Sequence, residues 1–415
     1  MKRLLILGSA NVHCKLIKAA KEMGIYTYVA DYLDKSDGKG LADSSCLIDI
    51  KDVNRLKEFC ESNDINGVIA THLDPCQRPY QKICHEMNYF CYGDEEQFKR
   101  MTDKHSFKKM CMESGVDTIP EYSEEDVKQG KVDYPVFIKP VDSRGSRGQA
   151  VCYNREEAIN AIVVARKESS NDDVLIEKYI CDAQEIQITY FYIDGKPYLI
   201  RTADSYKSKE GSHLEKVVAC AVSPSQYTDE YIRTAHARVI KMFEGLGIKN
   251  GPIFMQGFYD NGTFRFFDPG LRFPGVDYDL IYPIEYNTDL VKLMVEYAIN
   301  GKFGINEIPE DMYRINGKRA AVLFPVIKKG MIKKISGVES IKSQKGVFSL
   351  LLRHTEGANI DWTYDVNQRI AEIDMVADNT EELKQLILSV QSQLKVQDAT
   401  GEEMIFDDFD IERIV

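Results

Sequence analysis

The chain opens with a strand, a helix and a second strand, and that order restricts the fold more than anything after it. "RLLIL", Arg3 to Leu7, is a short apolar run entering a Gly8–Ser9 turn. "HCKLIKAAKEMG" follows with helical apolar spacing and a stop at Gly24, and "IYTYVAD" reads as a second strand ending at Asp31. Strands joined through a helix lie side by side and parallel, so the start of the chain predicts a doubly wound, Rossmann-like sheet. The turn keeps Gly8 but lacks the rest of GxGxxG, which favours a structural role over dinucleotide binding. "VNRLKEFCESNDINGVIA" repeats helix then strand and carries "THLDP" to a strand's C-terminal end. His72 and Asp74 then fall at the rim where open α/β sheets take ligands, although a polar loop accounts for them equally well.

At 415 residues the chain exceeds one compact core, so two or three domains are expected. A net charge of -12 argues against nucleic acid and anionic membranes as partners, since both reward clustered Lys and Arg. No apolar run has the length of a membrane span. The ten cysteines form no CxxC pair and the start lacks a signal peptide's apolar core, so reduced thiols and a cytoplasmic location are expected. Cys76, Cys84 and Cys91 fit no zinc spacing and read as buried thiols.

After about residue 100 the rhythm changes. "YPVFIKP", "VLIEKYI", "EIQITYFYIDGKPYLI" and "GTFRFFD" are strand-like, with hairpin signals at Asp194–Gly195 and Asn261–Gly262. The middle is therefore α+β and largely antiparallel. From about residue 319 further strands follow, closed by a helix in "NTEELKQLILSVQSQL" with Asn379 as its N-cap.

Two segments carry chemistry. In "YPVFIKPVDSRGSRGQAV" a strand delivers Lys139, and the loop behind it holds Ser143, Gly145, Ser146 and Gly148. Such a loop can aim backbone N–H groups at a phosphate while the lysine adds a point charge; a hairpin with a solvated basic tip also fits. In "VLIEKYICDAQEIQI", extended backbone between Glu177 and Glu185 can meet a purine edge, and a carboxylate such as Glu185 can take ribose hydroxyls.

The order of these features resembles the ATP-grasp superfamily, and within it the L-amino acid ligases and carbamoyl-phosphate-synthase-like carboxylate–amine ligases. The resemblance implies an ATP-grasp fold in three parts. Residues 1–100 would be a Rossmann-like pre-grasp domain, 101–310 the ATP-grasp domain with a lid at about 116–182, and 311–415 a β-rich α+β C-terminal domain. It implies Lys104 and Lys139 as phosphate contacts, Ser143, Gly145, Ser146 and Gly148 as the closing loop, Glu177, Tyr179 and Ile180 as the adenine hinge, and Glu185 at the ribose. ATP and magnesium are the implied cofactors, and a small carboxylate and an amine the implied substrates, with a homodimer as the assembly common among relatives.

The family's two metal-holding glutamates and its asparagine correspond here to Gln256, Asp268 and Gly270 in "FMQGFYDNGTFRFFDPGLRFPG", followed by Arg272. One carboxylate of two remains. Magnesium tolerates this if phosphates and water complete its octahedron. Asp277 and Asp279 are candidate replacements for the missing charge, and helix-start roles account for them as well. Arg272, with Lys139, is the catalytic candidate: a guanidinium binds a carboxylate through two bonds or stabilises a transferring phosphoryl group. The polar stretch 201–216 reads either as a substrate-closing loop using Lys207 and His213 or as a long exposed hairpin. An ATP-dependent amide-forming ligase is the function expected. The alternatives are a nucleotide-binding regulatory protein with a decayed metal site and a carbamoyl-phosphate-synthase-like enzyme.

Overall fold

A computed structural model of the chain describes residues 1–141, 148–169, 172–181, 183–208, 217–361 and 366–415. The N-terminal region is the parallel sheet expected: β1 (Arg3–Leu7), β2 (Tyr26–Ala30), β3 (Ser44–Cys46) and β4 (Gly67–Ile69), in the order β3-β2-β1-β4. Leu4 to Leu7 are fully buried, as strands covered on both faces require. Gly8 leaves β1 at φ 93°, and a Cβ there would lie 2.5 Å from the ring of His13, so the turn needs glycine.

A small antiparallel sheet follows, formed by β5 (Glu121–Tyr122), β6 (Val136–Pro140), β7 (Ala150–Cys152) and β8 (Val174–Lys178), in the order β5-β8-β6-β7. It has a core of its own, with Val127, Val136, Ile138, Ala158 and Ile176 packed beneath helix Arg155–Glu168. Period-two alternation buries Val136 and Ile138 in that core and turns Phe137 and Lys139 to the opposite face.

The large sheet contains β9 (Gln184–Ile193), β10 (Lys196–Lys207), β11 (Val218–Ser223), β12 (Gly251–Asp260), β13 (Thr263–Gly270) and β14 (Arg319–Leu323). Both hairpin turns have positive φ at their two central residues, 49° and 88° at Asp194–Gly195 and 46° and 85° at Asn261–Gly262, the conformation that matches strand twist. The sheet continues without a break beyond residue 311. β14 pairs with β11, strand Ala371–Ala377 pairs with β14, and strand Val347–Leu352 forms the edge. Helix Thr380–Gln393 covers this end, opened by Asn379, whose Oδ1 accepts the Glu382 N–H at 2.9 Å. No helix among the described residues is long and apolar enough to cross a membrane, and the ten cysteines are free thiols.

The three regions meet at a buried polar cluster. Lys15, from helix Cys14–Glu22, donates to the Val276 carbonyl at 2.6 Å, pairs with Asp279, and lies 3.5 Å from Asp277. His72 Nε2 lies 3.4 Å from the other Asp279 oxygen, with Thr71 on its Nδ1 at 2.9 Å. The Asp277 N–H donates to Glu372 at 2.6 Å, and Arg353 holds the second Glu372 oxygen at 2.7 Å. Asp277 and Asp279, candidates for spare charge at the metal site, are thus committed to Lys15 and His72.

Burial pushes His72 down to about 3, Lys15 adding to the shift, and burial likewise pushes His13 down to about 4. Both rings stay neutral in the fold, whereas in the unfolded chain they take up protons near pH 6.5. The unfolded state therefore gains protons first as pH falls, and folding stability drops from pH 6.5 toward pH 4. The expected slope is up to about 1.4 kcal/mol per pH unit for each histidine. Urea unfolding between pH 7.5 and 5 should show this slope, and His72→Gln should flatten it.

Candidate functional site

Strand register builds the floor of the cleft. Asp268 on β13 lies opposite Gln256 on β12, and Gln256 lies opposite Gln187 on β9, so one row of side chains crosses three strands on one face. The register shifts between Gln256 and Gly257, a bulge that bends the strand just beyond this row.

Asp268 receives no hydrogen bond among the described residues, and the Gln256 side chain is likewise uncommitted. Burial raises the Asp268 carboxyl above the usual carboxylate range; Lys104 opposes the shift, Asp74 adds to it, and Arg272 and Lys139 oppose it. An unsatisfied carboxylate beside a free amide oxygen fits a hard divalent cation that takes its other oxygens from phosphates and water. Among the described residues no three His, Cys, Asp or Glu groups gather into a metal cluster, so the protein's share would be these two residues.

Gly270 has a different explanation from lost chemistry. A Cβ there would lie 3.0 Å from both Cγ and Nε of Arg272 and 3.3 Å from an Asp74 oxygen. Arg272, only 7% exposed, donates through Nη2 to Asp74 at 2.9 Å and through Nε to its other oxygen, while Nη1 reaches the Phe273 carbonyl at 3.0 Å. Its guanidinium also lies 5.0 Å from the Phe254 ring centre. An asparagine at 270 would disturb this bidentate pair, so glycine makes room for it. Of the two rim residues, Asp74 orients Arg272 and His72 belongs to the buried cluster.

Lys104 begins helix Lys104–Glu113, next to the Asp103 cap, and makes no ion pair among the described residues. Lys139 does: Glu177 holds it at 2.6 Å. Glu177 is 2% exposed and is shared with Lys108, which the helix pattern would leave in solvent but which is buried and also pairs with Glu121 at 3.0 Å. Burial alone would raise the Glu177 pKa, but Lys139 and Lys108 outweigh it and hold the carboxylate below its usual range. Burial lowers the Lys139 ammonium, Glu177 opposing and Lys104 adding. Glu177, expected in the adenine hinge, is therefore placed first as the anchor of a phosphate lysine.

The hinge backbone is extended, with Lys178 N–H donating to Pro120 at 2.8 Å and Tyr179 N–H to Pro135 at 2.9 Å. Tyr179 and Ile180 line a cavity with Pro120, Pro135 and Arg265. Tyr179 also borders a cavity of about 780 Å³ with Lys207, Phe324 and Phe409. Glu185 faces the cleft, 3.4 Å from Lys207, and burial raises its carboxyl. Ser143, Gly145, Ser146 and His213 lie outside the described residues, and Gly148 is the described end of that loop. A cavity of about 350 Å³ joins Asp74, Arg272, Gln256, Gln187, Glu185 and Arg201. The sequence reading passed over Gln187 and Arg201. Their signal was polar residues at inward positions of strands otherwise apolar.

Residues 94–266 match the family described as carbamoyl-phosphate synthase L chain, ATP binding domain. Formate-dependent phosphoribosylglycinamide formyltransferase of Sulfurisphaera tokodaii is 24% identical over 62% of this chain and 67% of its own length. The chain spans about half the length of other curated relatives it matches. The solved L-amino acid ligase from Bacillus licheniformis superposes with a TM-score of 0.76 at 18% identity, over 96% of this chain and 99% of that one. The biotin carboxylase domain dimer of Hydrogenobacter thermophilus 2-oxoglutarate carboxylase, solved with magnesium ADP, ADP and bicarbonate, gives 0.77 at 19% identity, over 95% and 90%. At these identities the likeness is one of fold.

Glu177→Gln should leave two buried lysines short of a counter-charge and cost about 3 kcal/mol, the lower end for a broken buried pair because Lys108 keeps Glu121. Chemical denaturation measures this, and titration with a fluorescent ATP analogue should show weakened binding.

Proposed function

As a member of the ATP-grasp superfamily the chain is built to close on a nucleotide, and we propose that it is an ATP-dependent carboxylate–amine ligase that forms an amide through an acyl phosphate. The observation that carries this reading is Asp268, a buried carboxylate without a hydrogen-bond donor, on which Lys104, Lys139 and Arg272 converge electrostatically.

In the first step a substrate carboxylate oxygen attacks the γ-phosphorus of ATP, and the bond to the ADP oxygen breaks. In the second an amine nitrogen attacks the acyl carbon, phosphate leaves, and the nitrogen gives up a proton. Lys104 and Lys139 stand where charge on the phosphates is neutralised. Arg272, fixed by Asp74, presents an immobile guanidinium to the carboxylate and to the charge that develops on it. Magnesium, when bound at Asp268 and Gln256, supplies the remaining positive charge. No protein nucleophile is needed, because positioning and electrostatics do most of the catalysis in phosphoryl transfer. Small-molecule carboxylate and amine substrates follow from this reading, and a homodimer is the assembly it favours, as in the carboxylase neighbour.

Gln256 favours a second reading, an ATP-binding regulatory protein whose metal site has lost a carboxylate. Gln256→Glu separates the two: turnover in a previously inert protein supports regulation, and an unchanged or slower enzyme supports a site adapted to glutamine.

Purified protein with ATP, magnesium, a panel of carboxylates and hydroxylamine as the amine should release phosphate and form hydroxamate. Normal nucleotide binding without phosphate release across the panel would overturn the ligase. Arg272→Lys should lower kcat about 10²–10³-fold, as loss of a preorganised charge does, and Asp268→Asn should abolish magnesium-dependent turnover while leaving the ligand-free fold as stable or more so.

A further inference from the structure

The 350 Å³ cavity beside Asp268 extends past the reacting end. Its far wall holds two arginines, Arg201 and Arg369, that have no carboxylate partner among the described residues. The other buried guanidiniums of the cleft are paired, Arg272 with Asp74 and Arg353 with Glu372.

Arg201 projects from β10 and is 1% exposed. Nη1 donates to Gln187 at 2.6 Å and Nε to Ser223 at 3.2 Å, and the guanidinium stacks 4.2 Å from the Tyr278 ring centre. Every partner is neutral. Arg369 donates through Nη2 to the Val218 carbonyl at 2.8 Å and lies 4.1 Å from the Phe324 ring centre, while its Nε is buried with no partner. Burying charged groups with only neutral partners is costly, and such groups persist where an anion completes them.

The charges facing the cavity leave an excess of cations. Asp74 is taken up by Arg272, Glu185 is paired with Lys207, and His72 is neutral. Between the two ends the wall is apolar, with Ala221 directly opposite Val322 and with Val218 and Phe324 beside them. From Asp268 the row runs through Gln256 and Gln187 to the next strand, which carries Arg201. Three strand spacings put the two backbones about 14 Å apart, a gap that the converging side chains reduce to a short linker.

We propose that Arg201 and Arg369 form a subsite for a second anionic group, so that the carboxylate substrate is a dianion: one carboxylate reacts beside Asp268 and Arg272, an aliphatic spacer crosses Ala221 and Val322, and the distal anion sits between the two guanidiniums. This rests on the ligase reading for which end reacts. Planar guanidinium donors suit a carboxylate or a phosphate alike.

Calorimetric titration of the full chain loaded with ADP and magnesium tests the subsite without turnover. Glutarate and 4-phosphonobutanoate carry the distal anion as carboxylate and phosphonate, and butanoate lacks it. At least one dianion should bind ten-fold or more tighter than butanoate, and the better of the two identifies the distal group. Arg201→Met and Arg369→Met should each erase that preference while nucleotide binding is retained; if Arg201→Met does not fold, Arg369→Met and the wild-type preference decide. Equal binding of butanoate, no binding of either dianion, or a preference that survives substitution would overturn the subsite. A dianion that binds with this preference but supports no phosphate release would instead overturn the ligase reading and leave the subsite standing.

Discussion

A carboxylate buried without a donor is unfavourable, and the cleft is organised around one. Asp268 is placed by strand register, and the fold answers its charge at a distance, through Lys104, Lys139 and Arg272, without satisfying it by direct hydrogen bonds. That arrangement suits a site waiting for a cation and a polyphosphate, and it explains why the neighbouring positions look as they do. Gly270 has given up a side chain so that Arg272 can lie flat against Asp74. Gln256 adds an oxygen without a second negative charge beside an already strained acid. What reads in sequence as erosion is, at Gly270, a packing requirement.

The same sheet that carries the site runs through into the C-terminal region, so the cleft floor and its far wall move as one piece. The N-terminal sheet is tied to it through Lys15, His72, Asp277, Asp279 and Glu372, a polar contact between three regions rather than an apolar one. Buried pairs of this kind stabilise little in net terms, yet removing one partner is severe, so they fix relative placement more than they add stability.

Much of this was legible in the chain. Apolar periodicity located β1, β2 and the helix between them, the Asp-Gly and Asn-Gly pairs located both hairpins, and Asn379 announced its helix. Local signals end where partners are remote. Nothing near Asp279 indicates that its counter-ion is Lys15, 264 residues away. Nothing near residue 319 indicates that β14 joins the sheet begun at β9, because strand pairing is a long-range choice. Lys108 was misjudged because an amphipathic pattern reports burial by residue type, and a lysine held by Glu177 and Glu121 breaks that rule. Arg201 carried a signal in "YLIRTADSY", a charge inside an apolar alternation. Its facing, however, depends on a register shift between Leu199 and Arg201 that the sequence does not announce.

The ion pair at Glu177 gives the small sheet its resting position. Glu177 and Lys139 both belong to that sheet, while Lys108 stands on the helix outside it, so one carboxylate fastens the lid to the body and occupies a phosphate-binding lysine at once. The cleft therefore has an internal competitor for its ligand. A weakly charged anion meets a cation already neutralised, whereas a triphosphate brings enough charge density to draw Lys139 away from Glu177. Drawing it away loosens the fastening. Selectivity for the nucleotide and release of the lid then become one electrostatic event, sensitive to ionic strength as an exchange of counter-ions is.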